Sequence, residues 1–496
     1  EKAKTDENIR AIYINSSNVQ AGLSQIEEIR NKLLEFKKTK KKIIAYSEVY
    51  SQSAYYLASV ANKIYLNPQG MIDLKGFSAQ IMFYKKLFSK LDIDIQIIRH
   101  GKFKSAIEPF TLEKMSEANR KQMKTVLNSI ANNILDSIAK QRNITLSEVK
   151  YHADNLNLTN TKKCLDLKYV DALIYQDQVE DSLSKLLSSK KLKIVSLEKY
   201  IKVESNEKEI SRNKIAIIYA NGTINSGKGD ENSIGSETTV NAIKKAREDK
   251  NVKAIVFRIN SGGGSALASD VILRETILTK KAGKPIVVSM GDYAASGGYY
   301  IACAADSIVA NPTTITGSIG VFGMIPNLQN FYKNKLGITI DTINTNKYAD
   351  MGMNRMLTEY ERRNIKQNIK QVYDTFISHV SKGRNMSLSA VEEISQGRVW
   401  SGYDAKSIGL IDTYGGIDKS IKIAAALANV SEYRTISLPK KKDPLSELAI
   451  KLENGTNLFE IVSTKLGYQN KLLDPLKRLH KQDIVQARMP YIIKLK

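Results

Sequence analysis

The chain has 496 residues, which is long enough for roughly two to four domains that each bury a core. Its 75 Lys and Arg residues outnumber its 51 Asp and Glu residues and give a formal net charge of +24. The basic residues are spread along the chain and no motif of a nucleic-acid-binding fold appears, so nucleic acid is excluded as a partner. A codon bias toward Lys, Asn and Ile explains the charge, and attraction to an anionic bilayer surface is compatible with it.

The two cysteines, Cys164 and Cys303, are too few for a disulfide framework or a cysteine metal site. Each lies in an apolar segment, which predicts buried free thiols. No cofactor or metal site is predicted. No apolar run approaches the roughly 18 to 20 residues that span a bilayer.

Two halves of the chain repeat one another in order. Residues 9–17 resemble 252–261, and residues 53–68 resemble 297–312, with an offset that stays near 243, as Ala254 minus Ala11 shows. A period of this length indicates a duplicated domain rather than a solenoid. We therefore predict four parts, which are a degenerate repeat one at 1–202, a polar linker at 203–213, repeat two at 214–434, and a carboxyl-terminal extension at 435–496 without an assigned chemical role.

The start of repeat two has no counterpart in repeat one. The strand-like residues 214–224 would correspond to a segment about 29 residues before Glu1, since the offset is 243. We therefore expect the natural chain to extend upstream and complete repeat one.

Repeat one contributes two lysines after a strand-like run. Residues 93–100 alternate as a strand does, and Lys102 and Lys104 follow directly. Charged residues at a strand end are usually solvated, which is the interpretation we give Lys102. The helical periodicity of 111–145, and of 356–385 in repeat two, predicts amphipathic packing helices.

Repeat two carries two strand-like runs that end in small residues. Residues 252–261 lead to Gly262, Gly263 and Gly264, and the apolar run at 286–290 leads to Ser296 and Gly297. A serine at a strand-to-helix turn is either a nucleophile or a helix N-cap, and this stretch alone leaves both open. An oxyanion hole needs two N–H donors, for which Gly297 and either Gly263 or Gly264 are candidates.

Repeat one lacks these features. Gln52 stands opposite Ser296, and Val19, Gln20 and Ala21 stand opposite the glycines. None of the four histidines lies between residues 153 and 378, so a serine–histidine pair has weak support.

The motifs GDYAASGGYYIACAADSIVANPTTITGSIGVFG, RINSGGGSALASD, RHGKFKSAIEPF and GRVWSGYDAKSIGLID together resemble the long, two-repeat form of the signal peptide peptidase A (protease IV) family. The resemblance implies that Ser296 is the nucleophile, that Lys104 is its general base, and that Ser318 positions the lysine. The chain departs from the family at Gly262, where proline is usual, and at Asp270, where glutamate is usual.

The resemblance also implies a fold and a setting. The fold would be α/β, with two tandem crotonase/caseinolytic-protease-like domains. The protein would be a serine endopeptidase that degrades signal-peptide remnants and other extended peptides. It would form a bowl-shaped homotetramer on the periplasmic side of the bacterial inner membrane, held by an upstream anchor. Extended substrates could add a strand beside the edge at 262–264.

The proposed base must be a neutral amine. Free lysine has a pKa near ~10.4, so Lys104 can act near pH 7 only if its ammonium form is disfavoured by burial or by charges such as Arg99 and Lys102. Packing against Ile107, Pro109 and Phe110 would bury it.

Three alternatives stay open. Lys347, which falls opposite Lys104 at an offset of 243, could be the base within repeat two. The protein could instead be an acyl-CoA-processing enzyme of the same fold. It could also be a catalytically silent scaffold in membrane quality control.

Overall fold

The computed structural model describes residues 1–188, 192–203, 211–230, 232–439 and 485–489. Most of the predicted linker and most of the predicted carboxyl-terminal extension lie outside these residues.

The elements of repeat one are short strands alternating with helices. They are α1 (Lys2–Thr5), β1 (Ala11–Asn15), α2 (Leu23–Lys37), β2 (Lys42–Ser51), α3 (Gln52–Ala58), β3 (Lys63–Asp73), α4 (Lys85–Lys90), β4 (Asp94–His100), a 3₁₀ turn (Ser105–Ile107), α5 (Glu108–Thr111), α6 (Glu117–Arg142), α7 (Leu146–Asp154), a 3₁₀ turn (Asn157–Thr159), α8 (Thr161–Asp166), β5 (Ala172–Leu173), α9 (Gln176–Leu186) and α10 (Leu197–Lys202).

The elements of repeat two follow a similar order. They are β6 (Lys214–Asn221), β7 (Thr223–Asn225), β8 (Ser233–Gly235), α11 (Ser236–Glu248), β9 (Val252–Ser261), β10 (Gly263–Ser265), α12 (Ala266–Lys281), β11 (Ile286–Ala295), α13 (Gly297–Tyr300), β12 (Ser307–Ala310), β13 (Ile315–Gly317), β14 (Val321–Asn327), α14 (Gln329–Leu336), α15 (Glu359–Arg384), α16 (Leu388–Ile394), β15 (Val399–Ser401), α17 (Gly402–Ser407), β16 (Thr413–Tyr414), α18 (Ile417–Leu427) and β17 (Arg434–Leu438). The last described strand is β18 (Val485–Arg488).

Each repeat is built on a parallel sheet. In repeat one the strand order is β1-β2-β3-β5, and in repeat two the order β15-β13-β11-β9-β6-β17 has β6, β9 and β11 parallel at its centre. The side chains of β9 and β11 are buried along most of both strands, because helices cover both faces of the sheet.

The two long helices occupy matching positions and confirm the predicted packing helices. Both α6 and α15 have 26 residues, begin at a hydroxyl N-cap (Ser116 and Thr358), and end at an asparagine in the left-handed conformation (Asn143 and Asn385). Each buries one apolar face, as the helical period predicts.

A third sheet joins the repeats. Its order is β4-β14-β18-β10-β7-β8, and β4 of repeat one pairs antiparallel with β14 of repeat two over seven residue pairs, from Val321 with His100 to Asn327 with Asp94. Because the segment with Lys104 directly follows β4, the pairing of β4 with β14 places Lys104 against repeat two.

The predicted α/β class is confirmed by these alternating elements. Cys164 and Cys303 are buried free thiols, as predicted. Within the described ranges, no helix is both long and apolar enough to cross a bilayer.

Candidate active site

Ser296 lies at the turn between β11 and α13 in a strained conformation. Its φ of 55° is positive, which is unusual for a residue other than glycine, and its backbone N–H donates to the Gly317 carbonyl at 2.7 Å. Its side chain is fully buried and makes no capping hydrogen bond to α13. The N-cap interpretation is therefore wrong, and the geometry is that of a strand-to-helix turn presenting a hydroxyl.

The Lys104 amine meets this hydroxyl. Lys104 Nζ lies 2.7 Å from Ser296 Oγ, and it donates to the Ser318 carbonyl oxygen at 3.0 Å and to Ser318 Oγ at 3.1 Å. All three side chains are fully buried. The structure thus brings Lys104 together with Ser296 and Ser318, which lie 192 and 214 positions away in the sequence.

Burial lowers the pKa of Lys104 well below its ordinary value of 10.5. Desolvation disfavours the ammonium form, and it is the cause of the shift. The expected contributions of Arg99 and Lys102 do not add to it, because both side chains are exposed to solvent. Lys102 is solvated, as predicted, with its ammonium 5.9 Å from the ring centre of Phe103.

The loop carrying Lys104 is fixed by two residues that the sequence analysis missed. Gly397 has a φ of 82°, and a Cβ there would lie 2.6 Å from Lys104 Cα. Gln122 on α6 donates to the Phe103 carbonyl at 3.1 Å and to Ser105 Oγ at 3.0 Å, and it accepts from the Val399 N–H at 3.2 Å. These contacts hold the Lys104 loop of repeat one against residues 397–399 of repeat two, at the start of β15.

The same segment also holds Ser318. The Ser318 N–H donates to the Arg398 carbonyl at 2.6 Å, and the Gly397 N–H donates to the Ile319 carbonyl at 2.7 Å. Ser318 has a φ of 52°, which is uncommon for a residue other than glycine. Its carbonyl oxygen and its Oγ both face Lys104. The backbone of residues 397 and 398 therefore positions both Lys104 and Ser318.

The candidate oxyanion glycines lie side by side. Gly263 has a φ of 97°, and a Cβ there would lie 2.7 Å from the Gly297 nitrogen. The Gly297 N–H belongs to the first turn of α13, where helix amides have no intrahelical acceptor. The Gly263 N–H donates to Ser261 Oγ at 3.1 Å, so it must exchange this acceptor before it can bind an oxyanion. Gly264 follows within β10.

The expectation that a substrate strand adds beside residues 262–264 is wrong for this arrangement. Strand β10 pairs with β7 on one side and with β18 on the other, where Gly263 lies opposite Arg488 and Gly264 opposite Ala487. Both edges of the glycine strand are occupied, which leaves no free ladder for a peptide.

The rival base, Lys347, is not part of this cluster. It is exposed, and its ammonium lies 5.4 Å from the ring centre of Tyr348. Among the described residues, no group of three or more His, Cys, Asp or Glu side chains could hold a metal ion.

The chain is similar to several known proteases. The model of peptidase family S49 matches residues 35–190 and 279–431. Protease 4 of Salmonella typhi is 38% identical over 452 residues, which cover 87% of this chain and 71% of the relative. Protease 4 of Haemophilus influenzae is 35% identical over 442 residues, covering 86% and 72%. The chloroplastic serine protease SPPA of Arabidopsis thaliana is 34% identical over 503 residues, covering 99% and 73%.

A solved structure of ClpP1 from Listeria monocytogenes covers 42% of this chain and 94% of its own, at 16% identity and a TM-score of 0.27. The predicted family is confirmed by the sequence matches. The predicted α/β fold with two repeated units is also confirmed, because the family match falls in two segments, each on a parallel sheet flanked by helices.

Proposed function

Because the chain belongs to peptidase family S49 and is a serine peptidase, we propose that it cleaves peptide bonds with a serine–lysine dyad, in which Ser296 is the nucleophile and Lys104 is the general base. The observation that carries the proposal is the 2.7 Å distance between Lys104 Nζ and Ser296 Oγ in a fully buried environment. The lowered pKa of Lys104 supports the same assignment, because a neutral amine has a lone pair for the serine proton.

Acylation then follows in two proton transfers. As Ser296 Oγ bonds to the peptide carbonyl carbon, its proton passes to Lys104 Nζ. When the tetrahedral intermediate collapses and the C–N bond breaks, the Lys104 ammonium returns this proton to the leaving amine. The product is an ester of Ser296 and an amine that departs.

Deacylation reverses the roles. Neutral Lys104 takes a proton from water, the resulting hydroxide attacks the ester, and the proton returns to Ser296 Oγ as the acid leaves. In this scheme Ser318 positions the amine, since its carbonyl oxygen and its Oγ both accept hydrogen bonds from Lys104 Nζ. Those two acceptors direct the remaining lone pair of the amine toward Ser296.

We assign the oxyanion hole to the Gly297 N–H together with an N–H of Gly263 or Gly264. Gly263 lies beside the Gly297 nitrogen, and its strained φ leaves no room for a side chain there. An oxyanion that carries a full charge is a stronger acceptor than the neutral Ser261 Oγ, so it would displace this hydroxyl from the Gly263 N–H.

We further propose the physiological setting that the family resemblance implies. The substrates are cleaved signal peptides and other extended peptides, and the site lies on the periplasmic side of the bacterial inner membrane. An upstream anchor holds the protein there as a homotetramer. We retain 1–202 and 214–434 as the two domains, joined at 203–213 and followed by the extension at 435–496.

The experiment is hydrolysis of a short fluorogenic peptide by the wild type and by Ser296→Ala, Lys104→Ala and Lys347→Ala. The proposal predicts loss of at least about 10³-fold in kcat/KM for the first two variants and wild-type activity for the third. Full activity in Lys104→Ala, with loss in Lys347→Ala, would move the base to repeat two. An inactive, folded wild type would favour the scaffold, and turnover of an acyl-CoA but no peptide would favour the acyl-CoA alternative.

A further inference from the structure

Arg398 lies between an aromatic ring of each repeat. Its guanidinium carbon is 4.1 Å from the ring centre of Trp400 in repeat two and 5.5 Å from that of Phe103 in repeat one. The side chain is half-buried. Among the residues that the structure describes, no carboxylate forms an ion pair with this guanidinium.

This setting is unusual for a cation that is partly removed from water, because such charges are normally paired with an opposite charge. Burial lowers the pKa of the Arg398 guanidinium below its ordinary value of 12.5, and the Asp404 carboxylate opposes this shift without an ion pair. The faces of the two aromatic rings carry partial negative charge and stabilise the cation instead. Arg398 therefore connects two rings rather than two charges.

The first of these rings belongs to the residue that directly precedes Lys104. The Phe103 N–H donates to the Gln396 carbonyl at 2.9 Å, and the Phe103 carbonyl accepts from Gln122 at 3.1 Å. Hydrogen bonds thus fix the backbone of Phe103, and the contact with Arg398 fixes its side chain. Both restrict how Lys104 enters the site.

The second ring leads from the same guanidinium to the nucleophile. The Trp400 indole N–H donates to the Ile394 carbonyl at 3.0 Å, and a Cβ on Gly317 would lie 2.7 Å from Trp400 Cδ1. The Gly317 carbonyl accepts the Ser296 N–H at 2.7 Å. The indole therefore packs directly on the backbone that holds Ser296.

The backbone of Arg398 adds a third connection. Its carbonyl accepts the Ser318 N–H at 2.6 Å, and both oxygens of Ser318 accept hydrogen bonds from Lys104 Nζ. One residue is thus joined to the loop of the base, to the serine that orients the base, and to the support of the nucleophile.

We propose that Arg398 is a positioning residue that sets the approach of Lys104 to Ser296 across the two repeats. The stack of Phe103, Arg398 and Trp400 fixes the separation between the Lys104 loop and the backbone of Ser296. A guanidinium suits this role because it is planar and can place a ring on each face, whereas a lysine ammonium cannot. The inference rests on the proposed function for the roles of Lys104 and Ser296.

Peptide hydrolysis by Arg398→Met is the first test. Methionine is unbranched and can fill the space between the rings, but it has neither the charge nor the plane. We expect kcat to fall at least about tenfold with KM within about twofold of wild type, because proton transfer is misaligned while no substrate contact is removed. Wild-type kcat in folded Arg398→Met would overturn the proposal.

Arg247→Met is the matched control. Arg247 is a half-buried arginine on α11 whose Nε lies 2.7 Å from a carboxylate oxygen of Glu275 on α12. Its loss removes an ion pair away from the candidate site, so kcat should stay at the wild-type value. Equal losses of kcat in Arg247→Met and Arg398→Met would mean that a general loss of packing is the cause, and the positioning role would be wrong.

A double-variant cycle tests whether Arg398 acts through Phe103. Phe103→Leu keeps an apolar side chain and removes the ring, so it should itself lower kcat about tenfold. The double variant Arg398→Met/Phe103→Leu should lose no more than about twofold beyond the weaker of the two single variants, because one stack is broken in each case. Losses that multiply would show independent action. If Arg398→Met does not fold, wild-type kcat in Phe103→Leu would still overturn the stack.

The placement of Lys104 is measured without reference to catalysis. Brief treatment with acetic anhydride, followed by peptide mass spectrometry, reports how accessible each lysine amine is. Lys104 should react slowly in wild type and in Arg247→Met, since it is fully buried. In Arg398→Met its labelling should be at least about tenfold faster, because the loop opens locally. Lys102 is exposed and serves as the internal reference.

The outcomes separate this inference from the proposed function. If Arg398→Met speeds the labelling of Lys104 but hydrolysis does not depend on Lys104 or Ser296, the proposed function fails while the positioning role stands. If hydrolysis requires both residues and Arg398→Met equals wild type in kcat and in Lys104 labelling, the positioning role fails while the proposed function stands.

Discussion

Replacing Lys104 by methionine should remove activity and stabilise the folded chain at neutral pH. Burial lowers the folded pKa of Lys104 well below 10.5, whereas a lysine in the unfolded chain has a pKa near ~10.4. Between these two values the unfolded chain binds one more proton than the folded chain. The free energy of unfolding of the wild type therefore rises with pH, by about 1.4 kcal/mol for each pH unit.

The sign follows from the lowered pKa. The unfavourable contribution of Lys104 is absent above the unfolded pKa, grows as the pH falls, and becomes constant below the folded pKa. Lys104→Met lacks this contribution, so the stability difference between variant and wild type should shrink by about 1.4 kcal/mol for each unit of rising pH within that window. Methionine fits because it is unbranched and apolar in a site that is fully buried.

The assay is chemical denaturation followed by the fluorescence of Trp400, the one tryptophan of the chain, which packs against the core of repeat two. Ser296→Ala is the matched control, since it removes the partner hydroxyl and keeps the amine. A stability difference between Lys104→Met and wild type that is flat from about pH 7 to 10 would mean that Lys104 has the same charge in both states, and the reasoning would be refuted.

Three further perturbations have defined outcomes. Gly397→Ala should lower stability by about 1 to 3 kcal/mol and should reduce kcat, because a Cβ would lie 2.6 Å from Lys104 Cα at a φ of 82°; thermal unfolding and peptide hydrolysis measure the two effects. Gln122→Ala should lower kcat about tenfold with KM unchanged, since it frees the loop that positions the base; a change in KM alone would contradict this role. Cys303 and Cys164 should resist alkylation at pH 8 in the folded protein, because burial raises their thiol pKa values to about 12 and about 11; rapid labelling of either thiol, followed by mass spectrometry, would be the contrary result.

Local pattern was sufficient for much of the fold. The period of 111–145 and 356–385 predicts α6 and α15, and the apolar runs before Gly262 and Ser296 predict β9 and β11, because burial on one helix face or on both sheet faces leaves a direct trace in the sequence. The fine positions of helix ends depend on caps such as Ser116.

Strand pairing was not predictable in the same way. The alternation at 93–100 indicates a strand, but nothing local indicates that β4 pairs with β14 of the other repeat, more than 220 residues away. The same holds for β18, which covers the glycine strand that we expected to be open. Partner choice is a property of the assembled sheet, and a period-2 pattern contains no information about it.

The residues of the candidate site also differ in how well the sequence predicts them. Ser296, Lys104 and Ser318 lie in motifs specific enough for a family resemblance to assign their roles. The structure places the Oγ atoms of both serines within 3.1 Å of Lys104 Nζ. Gln122 and Gly397 carry weaker signals. A polar residue on the buried face of α6, and a glycine before a strand, have many explanations until the structure of the loop that they support is known.

The most direct test of the buried dyad is the site and pH dependence of covalent labelling by a peptidyl phosphonate, followed by peptide mass spectrometry. The account predicts that the label forms on Ser296, that its rate falls as the pH drops through the lowered pKa of Lys104, and that Lys104→Met abolishes it. A label on another serine, or an equal labelling rate of Ser296 in Lys104→Met, would contradict the claim that a neutral Lys104 activates Ser296.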